Sequence, residues 1–539
     1  MASKQLKEIT VEEWPRSAIL SFFAVAQLSI VGPLWDSQHN QDGDLWVIID
    51  AKVFDLSKFS AIHPGGKAVL LADDVRGQDV TELFYSLHKS EVLLRPQYAR
   101  LRKGIVKGQE EQFAPLPHGS LSPIPYGAPV VIQGILFPYY GDSHRRVQKV
   151  LRTLMDEVLR SEAQDIESSG QRISQKVFEI GGEYQLHATR LGPGKHLKGL
   201  TLVGGAVKPE EFDYFHELII HQELARSGYR TFQDAYWVGA VIGLPPVLNF
   251  GRPEIQHIVP DIFAGKKFIS LAISEAFAGS DVAGIRCTAK LSDDKKFWIV
   301  NGSKKWITNG HFSDYFSTGV RTDKGLTMLL IPRGPGVETK PIKTAYSPAA
   351  GTAYITFDNV KVPIENTLGE VNQGLKVILS NFNHERWVIV ANAVQGQRNI
   401  VDAALRWASQ RKAFGKPLIE LAIVRAKLAQ MISRAESSQT WLEHITYQMN
   451  HMTYAEQSQY LAGPMALLKQ YISGVGQDTA RDVTQIFGGR AITQSGLGAA
   501  VELFHRTIAY DAILGGSEDV LADLGVRQAQ KFIPKNARL

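Results

Sequence analysis

The hydrophobic pattern changes character twice along the chain. Residues 268–275, 296–301, 326–331 and 353–357 are short runs dense in Ile, Val, Phe and Trp, with Gly and Asp between them, which predicts a β-rich domain. Before it, stretches such as 147–160 and 211–227 read as amphipathic helices. After it, residues 375–404 form a long proline-free run. In that run Leu375, Ile378, Leu379, Phe382, Ile389 and Val390 return at spacings of three and four, predicting a helix with one buried face. Within it sits a polar knot, Asn383-His384-Glu385-Arg386. A carboxylate in such surroundings is costly to desolvate, which makes Glu385 a candidate for chemistry. The bland alternative is a Glu385–Arg386 pair at a solvated helix edge.

Near the other end, residues 44–59 read as two strands joined by a tight turn and lead into His63-Pro64-Gly65-Gly66. From 108 to 142 the chain carries Pro115, Pro117, Pro123, Pro125, Pro129 and Pro138 with little periodicity, which predicts an extended, partly stiff linker. Residues 17–35 are apolar, but a spanning helix needs about 20 apolar residues, and Gln27, Gly32 and Pro33 interrupt this run. A membrane or signal segment and an insertion into the domain that follows are both open readings.

A chain of 539 residues predicts two or three domains. Its 44% hydrophobic and 21% charged residues are those of a soluble globular protein. The formal net charge of +5 is small and scattered, which implies no nucleic-acid partner. The single cysteine, Cys287, excludes an intrachain disulfide, fits a reducing compartment and reads as small core filler.

The Trp46-Val47-Ile48 strand and the His63-Pro64-Gly65-Gly66 tetrapeptide resemble the cytochrome b5 family. The resemblance implies heme b with His63 as one axial ligand and His88, after Asp79-Val-Thr-Glu-Leu-Phe84, as the other. The His63–His88 spacing is one residue longer than is usual in that family. Two neutral imidazoles would leave the iron six-coordinate, suited to electron transfer rather than oxygen chemistry. The alternative is two unrelated surface histidines. Residues 14–37 then resemble an insertion into this module.

Further along, Arg411-Lys-Ala-Phe-Gly-Lys-Pro417, Gln485-Ile-Phe-Gly-Gly489 and Ile513-Leu-Gly-Gly-Ser517 resemble the C-terminal half of the acyl-CoA dehydrogenases. These are FAD enzymes that desaturate acyl thioesters. Most of that family carries its base in a Tyr-Glu-Gly-Thr segment, where this chain has Leu514-Gly515-Gly516-Ser517. The isovaleryl and long-chain types place the base on the helix that holds Glu385, so the resemblance implies Glu385 as the base. The backbone N–H of Gly515 is then a donor to the thioester oxygen. Arg386 would contact the CoA part or act as a charge partner for Glu385.

The loop 271–282 resembles the family's Thr-Glu-Pro-Gly-Ala-Gly-Ser-Asp loop, with Ala276 and Phe277 replacing the proline and glycine. That implies Ser274 at the flavin ring and Gly279 and Ser280 at the FAD pyrophosphate. In Lys305-Trp306-Ile307-Thr308-Asn309, Trp306 would cover the flavin and Thr308 bond near its N5. Arg411 and Phe414 match positions that reach the FAD of a neighbouring subunit. Gln485, Gly488 and Gly489 match its adenine-side contacts, and Ser517 a flavin contact. Completing FAD from two chains implies a homodimer or homotetramer.

The expected architecture is multidomain. An α+β cytochrome b5-like domain spans 1–108, with 14–37 the insertion, and a proline-rich linker spans 109–143. The acyl-CoA dehydrogenase fold follows: an N-terminal helical domain (144–266), a middle β-barrel-like domain (267–366) and a C-terminal four-helix bundle (367–531). Residues 532–539 form a tail. The expected function is α,β-dehydrogenation of an acyl-CoA with electrons passing to the fused heme, in fungal secondary metabolism or peroxisomal β-oxidation. Rival readings are an acyl-CoA oxidase or nitroalkane-oxidase-like flavoprotein using oxygen, and a catalytically silent flavin-binding scaffold. The terminal Ala537-Arg538-Leu539 resembles the Ser-Lys-Leu address, which implies a peroxisomal import receptor as partner and a peroxisomal rather than cytoplasmic location. No clear membrane partner is expected.

Overall fold

The computed structural model describes residues 39–537 apart from 90, 107, 114–115, 130–137, 237 and 535. The expected insertion at 14–37 and the last two residues of the terminal tripeptide lie outside the described residues. Two compact units are present. One holds the described residues up to Pro117 with Trp407–Leu421 and Ser495–Ala499; the other holds His118–Arg406, Ala422–Gln494 and Ala500–Leu539.

In the first unit, Asn40–Gln41, Asp44–Ile49, Lys52–Asp55 and Arg102–Ile105 form a four-stranded antiparallel sheet in that order. The hairpin between the second and third strands turns on Asp50 and Ala51, both at positive φ (52° and 60°). Two such residues give the turn whose twist matches paired strands. The Asp50 carboxylate accepts the backbone N–H groups of Gln112 and Phe113 (2.6 and 3.1 Å), tying the chain after the last strand back to this turn. Leu45, Val47, Phe54, Leu70, Val75 and Tyr85 form its core.

In the second unit, helices Asp142–Leu154, Arg160–Ser169, Gln175–Glu183 and Tyr214–Ala225 precede an eight-stranded sheet. The sheet order is Val337–Pro341, Ala353–Pro363, Phe297–Ile307, Thr288–Leu291, Tyr315–Thr322, Gly325–Pro332 and Thr367–Leu368, with Ile269–Ala272 parallel to Tyr315–Thr322. Long helices Phe382–Gln410, Ala422–His451 and Ala462–Phe487, with Ala499–Asp511 and Glu518–Gln530, complete it. No helix of the described residues is long and apolar enough to cross a membrane.

Three expectations are corrected. The run 375–404 is not one helix: Gly374–Ser380 ends at Asn381 before Phe382–Gln410 begins, and Leu375 and Leu379 are exposed while Ile378 and Val390 are buried. Tyr214–Ala225 is buried all round rather than amphipathic. Its polar residues are paired inside: Glu223 takes a fork from Arg152 (Nη2 2.6 Å), and Glu217 meets His384 (2.8 Å). The proline-rich segment is not free over its described length. Arg398 Nη1 donates to the Tyr126 carbonyl (3.0 Å) and Arg406 Nη2 to Ser122 Oγ (3.1 Å), fastening it along the Phe382–Gln410 helix.

Candidate functional site

On the sheet side, Ser274 follows Ile269–Ala272, and its carbonyl accepts the Lys305 N–H (2.9 Å), so the two segments expected at a flavin lie side by side. A buried ion pair fixes them. Lys304 Nζ, from the Phe297–Ile307 strand, donates to Glu275 Oε1 (2.7 Å) and to the Ile273 carbonyl (2.9 Å). Glu275 also accepts the N–H groups of Arg286 and Cys287 (2.6 and 2.9 Å). Burial by itself raises the Glu275 carboxyl, but Lys304 and these amides hold it below its ordinary value. Cys287, buried here, is core as expected, and burial pushes its thiol up to about 11.

Trp306 closes the strand at φ 66° with its ring 55% exposed. Gly279 and Ser280 are exposed, and a Cβ on Gly279 would meet nothing within 4 Å. Among the described residues no partner satisfies the hydroxyls of Ser274, Ser280, Thr308 or Ser517, or the Trp306 indole N–H. Open backbone, an exposed flat ring and several uncommitted donors suit a flavin nucleotide. Phe277, where a glycine was expected, is 78% exposed with Arg286 over its ring at 5.0 Å.

On the helix side, Glu385 sits in the first turn of Phe382–Gln410. Its carboxylate has no hydrogen-bond partner among the described residues. Burial raises its pKa, and Arg386, His384 and Lys469 pull it partly back. Arg386 is itself buried, and its Nε donates to the Gly515 carbonyl (3.0 Å). One nitrogen of this arginine is thus tied to the turn, and its charge bears on Glu385.

Ile389, one helical turn beyond Glu385 and on the same face, comes within 2.6 Å of where a Cβ on Gly515 would stand. Gly515 also has φ 65°. A side chain at 515 would be strained by the backbone and would require Ile389 to move. At Gly319 an added methyl would lie 3.0 Å from Ile273, which precedes Ser274, and 3.4 Å from Ile378 of Gly374–Ser380.

Two features escaped the sequence reading. Lys469, fully buried in Ala462–Phe487, donates to the Gly516 carbonyl (2.7 Å). Glu217, also fully buried, joins His384 and His221 through one oxygen (2.8 and 3.4 Å). Burial alone would raise Glu217, yet the two histidines bring it down to about 2. A lone lysine or glutamate in a helical run carries no local signal of burial, and only the polar knot around His384 hinted at this network.

Gln485, Gly488 and Gly489 are exposed where Ala462–Phe487 ends, with Gly488 at φ 59°. Arg411 and Phe414 lie in the first unit, on a hairpin pairing Lys412–Ala413 with Lys416–Pro417. Phe414 there is 91% exposed.

Also in the first unit, the rings of His63 and His88 face each other with centroids 6.2 Å apart. Their Nδ1 atoms are directed to backbone carbonyls, His63 to Gly66 (3.4 Å) and His88 to Phe84 (3.2 Å). That leaves each Nε2 as the lone-pair nitrogen. Two metal–nitrogen bonds of about 2 Å and roughly 1 Å from each nitrogen to its ring centre add to roughly 6 Å, so the pair fits one iron between them. Burial lowers the His88 pKa, keeping it neutral as a ligand must be. A Cβ on Gly65 would lie 2.9 Å from the His63 ring, so glycine is required for this placement. Ile62, Leu83 and Leu87 beside the histidines in sequence are exposed apolar residues that suit a porphyrin edge.

Comparison with known proteins identifies three family matches along the chain. The family model "Acyl-CoA dehydrogenase, C-terminal domain" matches residues 372–530, "Acyl-CoA dehydrogenase, middle domain" residues 270–360, and "Cytochrome b5-like Heme/Steroid binding domain" residues 35–122. The chain is 37% identical over 423 residues to acyl-CoA dehydrogenase apdG of Emericella nidulans, covering 76% of this chain and 96% of that one. It is 33% identical over 403 residues to acyl-CoA dehydrogenase AFT10-1 of Alternaria alternata, covering 73% and 92%. The crystal structure of acyl-CoA dehydrogenase from Geobacillus kaustophilus shares the fold, with a TM-score of 0.64 at 23% identity over 73% of this chain and 100% of that one.

Proposed function

The chain belongs to the acyl-CoA dehydrogenase family, with a cytochrome b5-like domain at its N-terminal side, and from that premise we propose that Glu385 is the base that removes the α-proton of an acyl-CoA thioester. The observation that carries this reading is the desolvated, unpartnered carboxylate one helical turn from Ile389, which packs on the Gly515 turn. Desolvation brings a carboxyl towards the pKa a general base needs. As the α C–H bond breaks, its proton goes to a Glu385 oxygen and the electron pair becomes the Cα=Cβ bond. The amide of Gly515, which has no acceptor among the described residues, would take the thioester oxygen as negative charge builds on it.

Ser274, Ser280, Trp306, Thr308 and Ser517 would hold the flavin, with Gln485, Gly488, Gly489, Arg411 and Phe414 completing it across a subunit contact of a homodimer or homotetramer. FAD, when bound, supplies the acceptor for the β-hydride, and a heme b between His63 and His88 supplies a one-electron outlet. Kinship to two fungal dehydrogenases supports an acyl thioester of fungal secondary metabolism as substrate. The test is a panel of acyl-CoA esters mixed anaerobically with the purified enzyme. Bleaching of flavin absorbance followed by reduction of the heme bands is expected. A flavin that stays oxidised with every ester, or peroxide release in air with the heme still oxidised, overturns the reading.

A further inference from the structure

The carbonyls of Gly515 and Gly516 are consecutive acceptors, and each is held by a buried cation from a different helix. Arg386 Nε takes the first at 3.0 Å and Lys469 Nζ the second at 2.7 Å. The amides of the same two glycines have no acceptor among the described residues. Lys469 is fully buried, yet this carbonyl is its one hydrogen-bond partner among the described residues, so two of its three donors stay unused. Asp511 bears on it electrostatically but is committed to Arg230 (2.6 Å), and Glu518 keeps one buried oxygen without a partner. Desolvating an ammonium group for one carbonyl is a poor structural exchange, since an apolar side chain would fill the place at less cost. A buried cation with unused donors, holding the carbonyl next to the one that Arg386 holds, points to a role in the chemistry.

We propose that Lys469 is a positioning residue of the desaturation reaction. It clamps the Gly516 carbonyl so that the amides of the turn stay turned to the thioester oxygen, and its charge favours the ionised form of Glu385. This rests on Glu385 as the base. Burial lowers the Lys469 amine to about 8, so it is protonated at neutral pH and can do both. The other charged groups bearing on the pair are His384 and Arg386 from the Phe382–Gln410 helix, Asp511 from Ala499–Asp511 and Glu518 from Glu518–Gln530. All four remain in place in the variants below.

The experiment compares K469M, which removes donor and charge, with K469Q, which keeps a donor and loses the charge. Both are read by FAD content, by the acyl-CoA concentration giving half-maximal rate, and by the anaerobic bleaching rate against pH. Removing an oxyanion donor outright costs about 10²–10³-fold, so loosening one predicts a loss of roughly 10–100-fold in K469M with half-saturation little changed. Because a nearby positive charge lowers the Glu385 pKa, its removal should move the rising limb of the profile to higher pH in both variants. K469Q should recover most of the rate. A K469M rate within twofold of wild type, or an unmoved pH limb in K469Q, overturns the proposal. Should K469M fail to hold FAD, the K469Q limb alone decides. E385Q run in parallel separates the two readings: if it bleaches at the wild-type rate the base assignment falls, and if it is inactive while both lysine variants behave as wild type only the lysine proposal falls.

Discussion

His63 and His88 stand on neighbouring elements of one small domain, and each ring is oriented by a carbonyl three or four residues away. Glu385 is a different kind of site. Charges bear on it from Lys469 of the Ala462–Phe487 helix, from Arg386, whose Nε holds the Gly515 carbonyl, and from His384, which is paired with Glu217 of the Tyr214–Ala225 helix. The histidine pair is half-exposed, and its ring nitrogens pair only with backbone carbonyls. The glutamate is set among buried charges, where each group's protonation depends on the others. A candidate ligand pair can thus be marked by local sequence, whereas the electrostatics of a candidate base are set by the packed interior.

The largest expected effect tests the local side of that contrast. His63→Ala and His88→Ala should each abolish the low-spin heme absorbance spectrum while FAD content is unchanged. A low-spin spectrum surviving in both would break the ligand assignment. Glu385→Gln should then lower anaerobic flavin bleaching by about 10²–10⁴-fold, the usual contribution of a general base, with the heme spectrum intact. Retention of more than a tenth of the rate would remove Glu385 from that role.

Next in size, Lys304→Met should leave Glu275 buried without its counter-ion, still held by two amides, and lower stability by about 2–4 kcal/mol, measurable by denaturant unfolding of the flavin-bearing enzyme. A change under about 1 kcal/mol would show that the loop carrying Ser274 is not held by this pair. The smallest effect is a displacement along the pH axis. Glu385 must be ionised to accept a proton and burial raises its pKa, so the bleaching rate should rise with pH through a midpoint above the roughly 4.3 of an ordinary glutamate. A rate flat down to that value would mean the carboxyl is not desolvated in the working enzyme.

Much of this protein was legible in the order of its residues. The strand run ending at Asp50, the His63-Pro64-Gly65-Gly66 turn and the run through Trp306 depend on contacts within a few positions, and their residue types carry the signal. The strand Tyr315–Thr322 went unread because it is buried on both faces and lacks the alternation that marks a half-exposed strand. Leu375 and Leu379 were assigned inward because apolar spacing gives a helix's faces but not which face has a partner. The segment was read only as an extended, partly stiff linker because proline density reports stiffness and cannot report that Arg398 and Arg406 hold it down.

The sequence by itself pointed to the module order and, through its family resemblances, to the histidine pair and the candidate base. Only the tertiary structure shows what crowds Gly515, because the neighbour is Ile389 from a distant helix. It also decided that Arg386 serves the turn, and that Lys469 lies beneath Gly516. The physical reason is desolvation: a charge acquires its cost and its altered pKa from every element packed around it, and those elements come together only when the chain has folded.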